Sequence, residues 1–425
     1  MLFRLAALAA WVVLACGPTA AQAIAPFTLE EAYKRVVQNH PDIRMYRPLQ
    51  AGLVAEADRA TLGPALVAGL ALENAPGSAS LAGLRGAELT LSLSSVLERG
   101  GKREARRALA ARRIDALGVR RASTELDLLA DVARRYLDVV AAQAKAKIAR
   151  HDVAQRNRTQ GAARRRVAAG ASPQAVQLTA EAMLSRASLD LSRAESQASA
   201  AWRRLAILWG DAAAGSAPML SVEPLEIPTI PPFAQLADAV RASPDLGRFA
   251  PEARVREARL QLARTAATPD LEWQAGLRRL QADDAWALTG SLSLPLGNAR
   301  RAEPDVRVAS AELESLGLEY ESAELALIAT LAQAHGQFTA AHLDVELAGS
   351  ELIPRLVRAE QAAERAYRAG ALSYLEWAQL QSETTAARSQ QLAAAIDAHR
   401  ALIEIQRLTA EPFVLATAAT KDATP

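Results

Sequence analysis

Residues 101–167 hold no proline and are rich in Ala, Leu, Arg and Glu, residues that favour helix. One continuous helix over that run reaches roughly 100 Å at about 1.5 Å per residue. No compact domain has a core so wide, so the helix belongs to something elongated. Just before it, Leu89, Leu91 and Leu93 alternate with Glu88, Thr90, Ser92 and Ser94, the period of a strand, and Gly100-Gly101-Lys102-Arg103 joins the two. The same order returns in the second half. Trp286, Leu288, Leu292 and Leu294 alternate with Ala287, Thr289, Ser291 and Ser293, and the helical run after them ends at Ala369-Gly370-Ala371, matching Ala169-Gly170-Ala171. The chain is an internal duplication of strand-then-long-helix units.

The flanking segments repeat as well. Thr28 and Glu31 form a capping-box pattern before a first helix, which Asn39-His40-Pro41-Asp42 interrupts; Ala242-Ser243-Pro244-Asp245 is the counterpart. A second helical run, 47–61, meets Gly63-Pro64, as 252–267 meets Thr268-Pro269, and each proline opens a strand. In the first of these strands Leu66, Ala68, Leu70 and Leu72 share a face. In the second, Leu271, Trp273, Ala275 and Leu277 do, with Glu272, Gln274 and Arg278 opposed.

The predicted organisation begins with a signal peptide at 1–23 and a first repeat at 24–210. That repeat holds strands at 65–73 and 86–97 and long helices at 101–167 and 172–208. A Pro/Ala/Ser-rich linker, 211–232, leads across the outside to a second repeat at 233–411, and a disordered tail fills 412–425. The second repeat holds strands at 270–278 and 286–296 and long helices at 300–368 and 373–408.

Each strand is apolar on one face and small or polar on the other over about 9 to 11 residues, the pattern of a wall facing lipid on one side and water on the other. Four strands cannot close a barrel, and open edges are not tolerated in lipid. Copies must then pool their strands, and a cyclic trimer giving twelve is the smallest comfortable ring. The strands alone leave open a soluble sheet with one buried face.

Half of the residues are apolar but only 4% are aromatic, so the apolar material is mostly Ala and Leu and suits closely packed helices. With 49 basic against 47 acidic residues, nothing in the balance points to nucleic acid or to an acidic substrate. Arg164-Arg165-Arg166, the dense basic run, reads as a solvated helix face. Arg4, the apolar run 5–15 and Ala21-Gln22-Ala23 form a secretory leader, with the mature chain starting near Ile24 and free of cysteine. Lipid attachment at Cys16 is the alternative. No later segment reaches about 18 consecutive apolar residues, so no transmembrane helix is expected.

In the second long helix Leu331, Phe338, Val345 and Leu352 recur in heptads, with Ala334, Ala341 and Ala348 between them. Leu129, Ala133, Tyr136, Val140, Ala144 and Ile148 form a looser stripe in the first. Pro354 should kink or split its helix. Gly170 and Gly370 end the long helices, each able to take the left-handed conformation, and Pro173 suits the first turn of the next helix. Chemistry is sparse. Gly100-Gly101-Lys102 lacks the first glycine and the Ser/Thr of a phosphate loop, with Val96 and Arg103 in their places. His335 and His342 share a helix face near Asp344 but lack metal-site spacing and a third ligand. No catalytic, cofactor-binding or metal site is expected, and no enzyme.

The leader, the duplicated order of elements, the Asn-His-Pro-Asp and Ser-Pro-Asp breaks, the proline before each first strand and the turn from Tyr367 to Glu376 together resemble the outer membrane efflux (TolC) family. The resemblance covers about Phe27 to Pro412. Residues 98–103, Glu-Arg-Gly-Gly-Lys-Arg, are similar to the same point of the cobalt-zinc-cadmium resistance (CzcC-like) branch. It implies a mainly α fold with a small β part: a trimeric 12-stranded outer-membrane β-barrel continued by a periplasmic α-helical barrel. It also implies a Gram-negative outer membrane, a passive exit duct, a periplasmic adaptor protein and an inner-membrane resistance-nodulation-division (RND) transporter as partners, and divalent heavy-metal cations as cargo. Drug efflux or type I protein secretion is the alternative cargo, and a soluble periplasmic coiled-coil adaptor the alternative of another class. By the same resemblance Glu376 and Gln379 fall where the periplasmic entrance is constricted, and Gly170, Gly370, Tyr367 and Leu372 form the helix-tip turns where an adaptor docks. Leu372 and Val176 stand where some members place an ionic latch, so a closed mouth here would rest on packing or other polar contacts.

Overall fold

The computed structural model describes residues 27–79, 83–218, 220 and 222–415. The predicted leader, Cys16 and the end of the predicted tail lie outside the described residues. Helices α1 (Leu29–Asn39), α2 (Pro41–Arg44) and α3 (Tyr46–Thr61) lead into strands β1 (Val67–Glu73) and β2 (Glu88–Leu97), followed by α4 (Lys102–Ala168) and α5 (Gln174–Ala206). The second half repeats this with α6 (Phe233–Arg241), α7 (Pro244–Gly247), α8 (Phe249–Thr265), β3 (Leu271–Leu280), β4 (Ala285–Ser293), α9 (Asn298–Leu347), α10 (Ile353–Ala369) and α11 (Tyr374–Thr409).

Local chemistry sets the breaks. Thr28 Oγ1 accepts the Glu31 N–H at 3.2 Å, but the Glu31 carboxylate pairs with Arg35 rather than returning to Thr28, so only half of the expected box forms. Pro41 cannot continue α1, and His40 Nδ1 caps α2 by accepting the Asp42 N–H at 3.2 Å. Pro173 stands one residue before α5, at its cap with an extended ψ of 152°, rather than in the first turn.

The four strands form one antiparallel sheet in the order β1-β2-β3-β4, which leaves β1 and β4 as its edges. Register puts Leu70, Leu91, Leu277 and Leu288 in one row on one face. Leu288 is 88% exposed. On the opposite face Gly69, Ser92, Gly276 and Thr289 form a row of small residues. A Cβ on Gly276 would come within 2.9 Å of the Leu91 carbonyl, so the strands close up only around glycine. One row along, Arg278 clasps three strands: it reaches Glu73 at 3.0 Å, Glu88 at 2.7 Å and Thr90 at 3.0 Å.

Helix α4 is 67 residues long, about 100 Å at about 1.5 Å per residue. Residues 128–140 are its most buried part, because α1, α5 and α11 surround it there; Ala133, Tyr136 and Val140 of the looser stripe join Phe27, Val36, Trp202, Leu205 and Ile403 in one core. The Tyr136 hydroxyl donates to the Phe27 carbonyl at 2.8 Å. A second core forms where α6 packs on α9 and α11, around Leu236, Leu331, Phe338 and Leu402. The linker is pinned to these cores through Gln143 Nε2 to the Pro218 carbonyl (2.9 Å), His399 Nε2 with the Pro224 carbonyl (3.1 Å) and a parallel bridge between Phe27 and Leu220.

The irregularity expected at Pro354 lies one turn upstream. Residues Ala348–Leu352 form a π turn between α9 and α10, leaving Pro354 in the opening turn of α10, where its missing N–H matters less. Gln391 of α11 donates to the Val345 carbonyl at 3.1 Å and Ser350 to the Glu346 carbonyl at 2.7 Å. One extra residue turns the apolar stripe by about 100°. Leu331, Phe338 and Val345 are buried, but Leu352, placed in the same heptads by sequence, is exposed, and burial resumes out of phase at Ala363 and Tyr367. Pro304, a second proline, is held inside α9 in its second turn.

Candidate channel mouth

The α4–α5 and α10–α11 connections come together far from the sheet. Each ends a helix with glycine in the left-handed region, Gly170 at φ +71° and Gly370 at φ +80°. Each closes with the same pair of bonds: Ala171 N–H to the Arg166 carbonyl and Ala371 N–H to the Ala366 carbonyl, both 2.9 Å, with the glycine N–H donating three residues back.

Between the turns lies a small apolar core. Tyr367, Tyr374, Trp377 and Ala378 are buried against Ala163 and Ala180, and Leu372 and Val176 flank the same cluster. Tyr367 contacts Trp377 at 5.1 Å and Tyr374 at 6.2 Å between ring centroids. The two positions that lack a latch charge are therefore part of one hydrophobic contact.

Arg166 departs from the solvated basic face that its sequence run predicts. Its guanidinium lies 5.0 Å from the Tyr367 ring centroid and donates to the Tyr367 carbonyl at 2.6 Å, the Ala171 carbonyl at 3.4 Å and Ser172 Oγ at 3.3 Å. It ties one turn to the other. A basic residue in the last helical turn before a C-terminal glycine was the available signal, but sequence could not show that the partner turn lay beside it. Arg164 and Arg165 are exposed.

Further along, sequence offered no sign of a polar layer between α4 and α11. Arg156, 6% exposed, donates to Ser382 at 2.8 Å and the Ala378 carbonyl at 3.4 Å and pairs with Asp152 at 3.3 Å. Asp152 in turn accepts from Thr385, and Thr159 donates to Gln381 at 3.1 Å. Buried polar groups matched this way fix the register of two otherwise slippery helices.

Glu376 completes a capping box. The Ser373 hydroxyl accepts the Glu376 N–H at 3.3 Å, and the Glu376 carboxylate accepts from the Ser373 N–H at 2.9 Å and its hydroxyl at 2.7 Å. These bonds hold the carboxyl below its usual pKa, so it stays anionic. Gln379, one turn on, donates to Glu383 at 2.9 Å. His335 and His342 contact Phe233 and Phe338 respectively, and no group of three metal-ligating residues occurs among the described residues.

At the other end of α4, Gly100 and Gly101 both take left-handed φ, of +74° and +73°. A Cβ on Gly100 would fall 2.5 Å from that of Thr268. Lys102 pairs with Asp270 at 2.7 Å, Asp270 also accepts the Arg99 N–H at 3.0 Å, and Arg106 holds Glu98 through two bonds of 2.5 and 2.8 Å. The basic segment is thus committed to locking the sheet onto the helices.

A sheet with a leucine face and two unpaired edges, set on helices that end in apposed turns, is the build of a membrane channel subunit. The chain belongs to the outer membrane efflux protein family, whose model matches residues 32–211 and 236–411, and its place is the outer membrane. That location replaces the soluble adaptor alternative. Among individual proteins it is 26% identical over 321 residues to the cobalt-zinc-cadmium resistance protein CzcC of Cupriavidus metallidurans, covering 75% of this chain and 76% of that one. The fold is shared with solved crystal structures, among them CusC and VceC. CusC matches with TM-score 0.73 and 16% identity over 90% of this chain and 91% of its own. The outer membrane protein VceC of Vibrio cholerae matches with TM-score 0.71 and 17% identity over 91% and 97%.

Proposed function

We propose that three copies close their sheets into a 12-stranded barrel and that their helices continue it into the periplasm as a passive exit duct. The observation that carries this is the sheet: one face is leucine from edge to edge while β1 and β4 remain unpaired, an arrangement that lipid tolerates only when neighbouring copies supply the missing partners. Transport energy comes from elsewhere, delivered through a periplasmic adaptor that docks on the Gly170 and Gly370 turns and an inner-membrane RND transporter. The cargo is divalent heavy-metal cations; the likeness to CzcC supports this.

A three-fold ring of Glu376 would favour cations at the entrance, with Gln379 contributing no charge. Planar-bilayer recording tests the duct and the ring together: cation-preferring channels are expected, with the preference weakened in Glu376→Gln. Channels of unchanged selectivity would remove the ring, and absence of any channel would remove the duct. Deleting the gene and measuring survival on cobalt, zinc and cadmium tests the cargo; loss of drug tolerance alone would point to the other cargo class.

A further inference from the structure

A cavity of about 580 Å³ lies under the linker, in the groove between α4 and α11. Its volume falls within the range of small-molecule sites, about 300 to 1,000 Å³. Two neighbouring stripes of α4 line it. Val140, Ala144 and Ile148 recur every fourth residue and give an apolar floor; Gln143, Lys147 and His151 do the same three positions on and give a polar edge. Leu392 of α11 and Leu220, Val222 and Leu225 of the linker add to the apolar surface, and Arg388 of α11 faces the α4 edge from across the groove.

The linker is tied down at two points beside the cavity, Gln143 donating to the Pro218 carbonyl and His399 bonded to the Pro224 carbonyl. Two basic side chains flank the groove. Among the described residues neither Lys147, which is exposed, nor half-buried Arg388 makes a hydrogen bond or ion pair. Glu223, the acid on the roof, is paired with neither. Half-buried Arg388 loses solvation without compensation, which an anion would restore.

We propose that this cavity binds a single-chain anionic amphiphile, its alkyl chain on the 140/144/148 floor and its carboxylate or phosphate between Lys147 and Arg388, with His151 as a further donor. The full chain, exchanged into a non-ionic amphipol, is titrated with the fluorescent fatty acid cis-parinarate. Saturable binding is expected, displaced by palmitate or by lysophosphatidate but not by hexadecyltrimethylammonium; the better of the two anions identifies the headgroup. Lys147→Gln with Arg388→Gln should raise Kd at least tenfold at unchanged far-UV circular dichroism. Ala144→Phe, which fills the floor and keeps both charges, should do the same and serves if the double variant misfolds. Equal displacement by the cationic amphiphile, or a Kd that stays within twofold in the folded variants, would overturn the site.

Discussion

The two helix turns at the mouth share a backbone and differ in almost every side chain that matters. Both place glycine in the left-handed region and both make the same closing bonds. The second turn then carries a complete capping box and the three aromatic rings of the tip core, whereas the first opens α5 with uncapped Pro173 and sends Arg166 across to its partner. Duplication copied the geometry, and later divergence made one turn the organised centre and the other its brace.

The strongest way to break that comparison is to remove the centre. Tyr367→Ala empties a buried aromatic site and should destabilise the tip by about 3 kcal/mol. Hydrogen exchange should quicken around 360–380 and also, through Arg166, around 163–172. A first turn that stays protected would show the brace to be independent.

Gly170→Ala and Gly370→Ala should each cost about 1 to 2 kcal/mol, because each forces a side chain into left-handed backbone. Open space surrounds Gly170, and only Arg166 atoms at 3.6 to 3.7 Å would meet a Cβ on Gly370, so the two costs should match in melts of the paired variants. A difference beyond about 1 kcal/mol would mean that side chains, not backbone, set these turns.

Ser373→Ala removes one cap, a loss of about 1 kcal/mol, while Ser172→Ala should do less because its hydroxyl accepts from Arg166 and caps no backbone N–H of α5. The converse sharpens the point. Pro173→Ser with Val176→Glu installs the same box on α5 and should slow exchange at its first turn.

The smallest effect is a pH response confined to one turn. The Glu376 carboxyl is held below its ordinary value by Ser373, so the cap is intact above the ordinary glutamate range and is lost as pH falls through the lower, folded value. Amides at 373–376 should lose protection on acidification towards pH 3, whereas those opening α5, with Val176 at the matching position, should not.

Much of the architecture was legible. Strand faces followed from strict alternation, because a strand's side chains point to opposite sides in turn, and the row of Leu70, Leu91, Leu277 and Leu288 needed only the correct register to become a wall. Turn positions followed from Gly170 and Gly370. Heptad reading failed past Val345, since nothing in Ala348–Leu352 announces that Pro354 acts one turn earlier through a π turn. The candidate mouth was half legible: resemblance singles out Glu376 by its place after Gly370, while the structure shows its carboxylate bonded to Ser373 in a capping box.

Sequence by itself determined the repeat, the elongated helices, the two-faced strands and the glycine turns, because each depends on periodicity or on the backbone freedom of a few residues. Tertiary structure alone decided which charges are solvated and which are structural. Arg164 and Arg166 are indistinguishable in a basic run, as are exposed Arg158 and buried Arg156 on one helix. Only the neighbour that folding brings alongside, a turn carbonyl or a serine, fixes what each of them does.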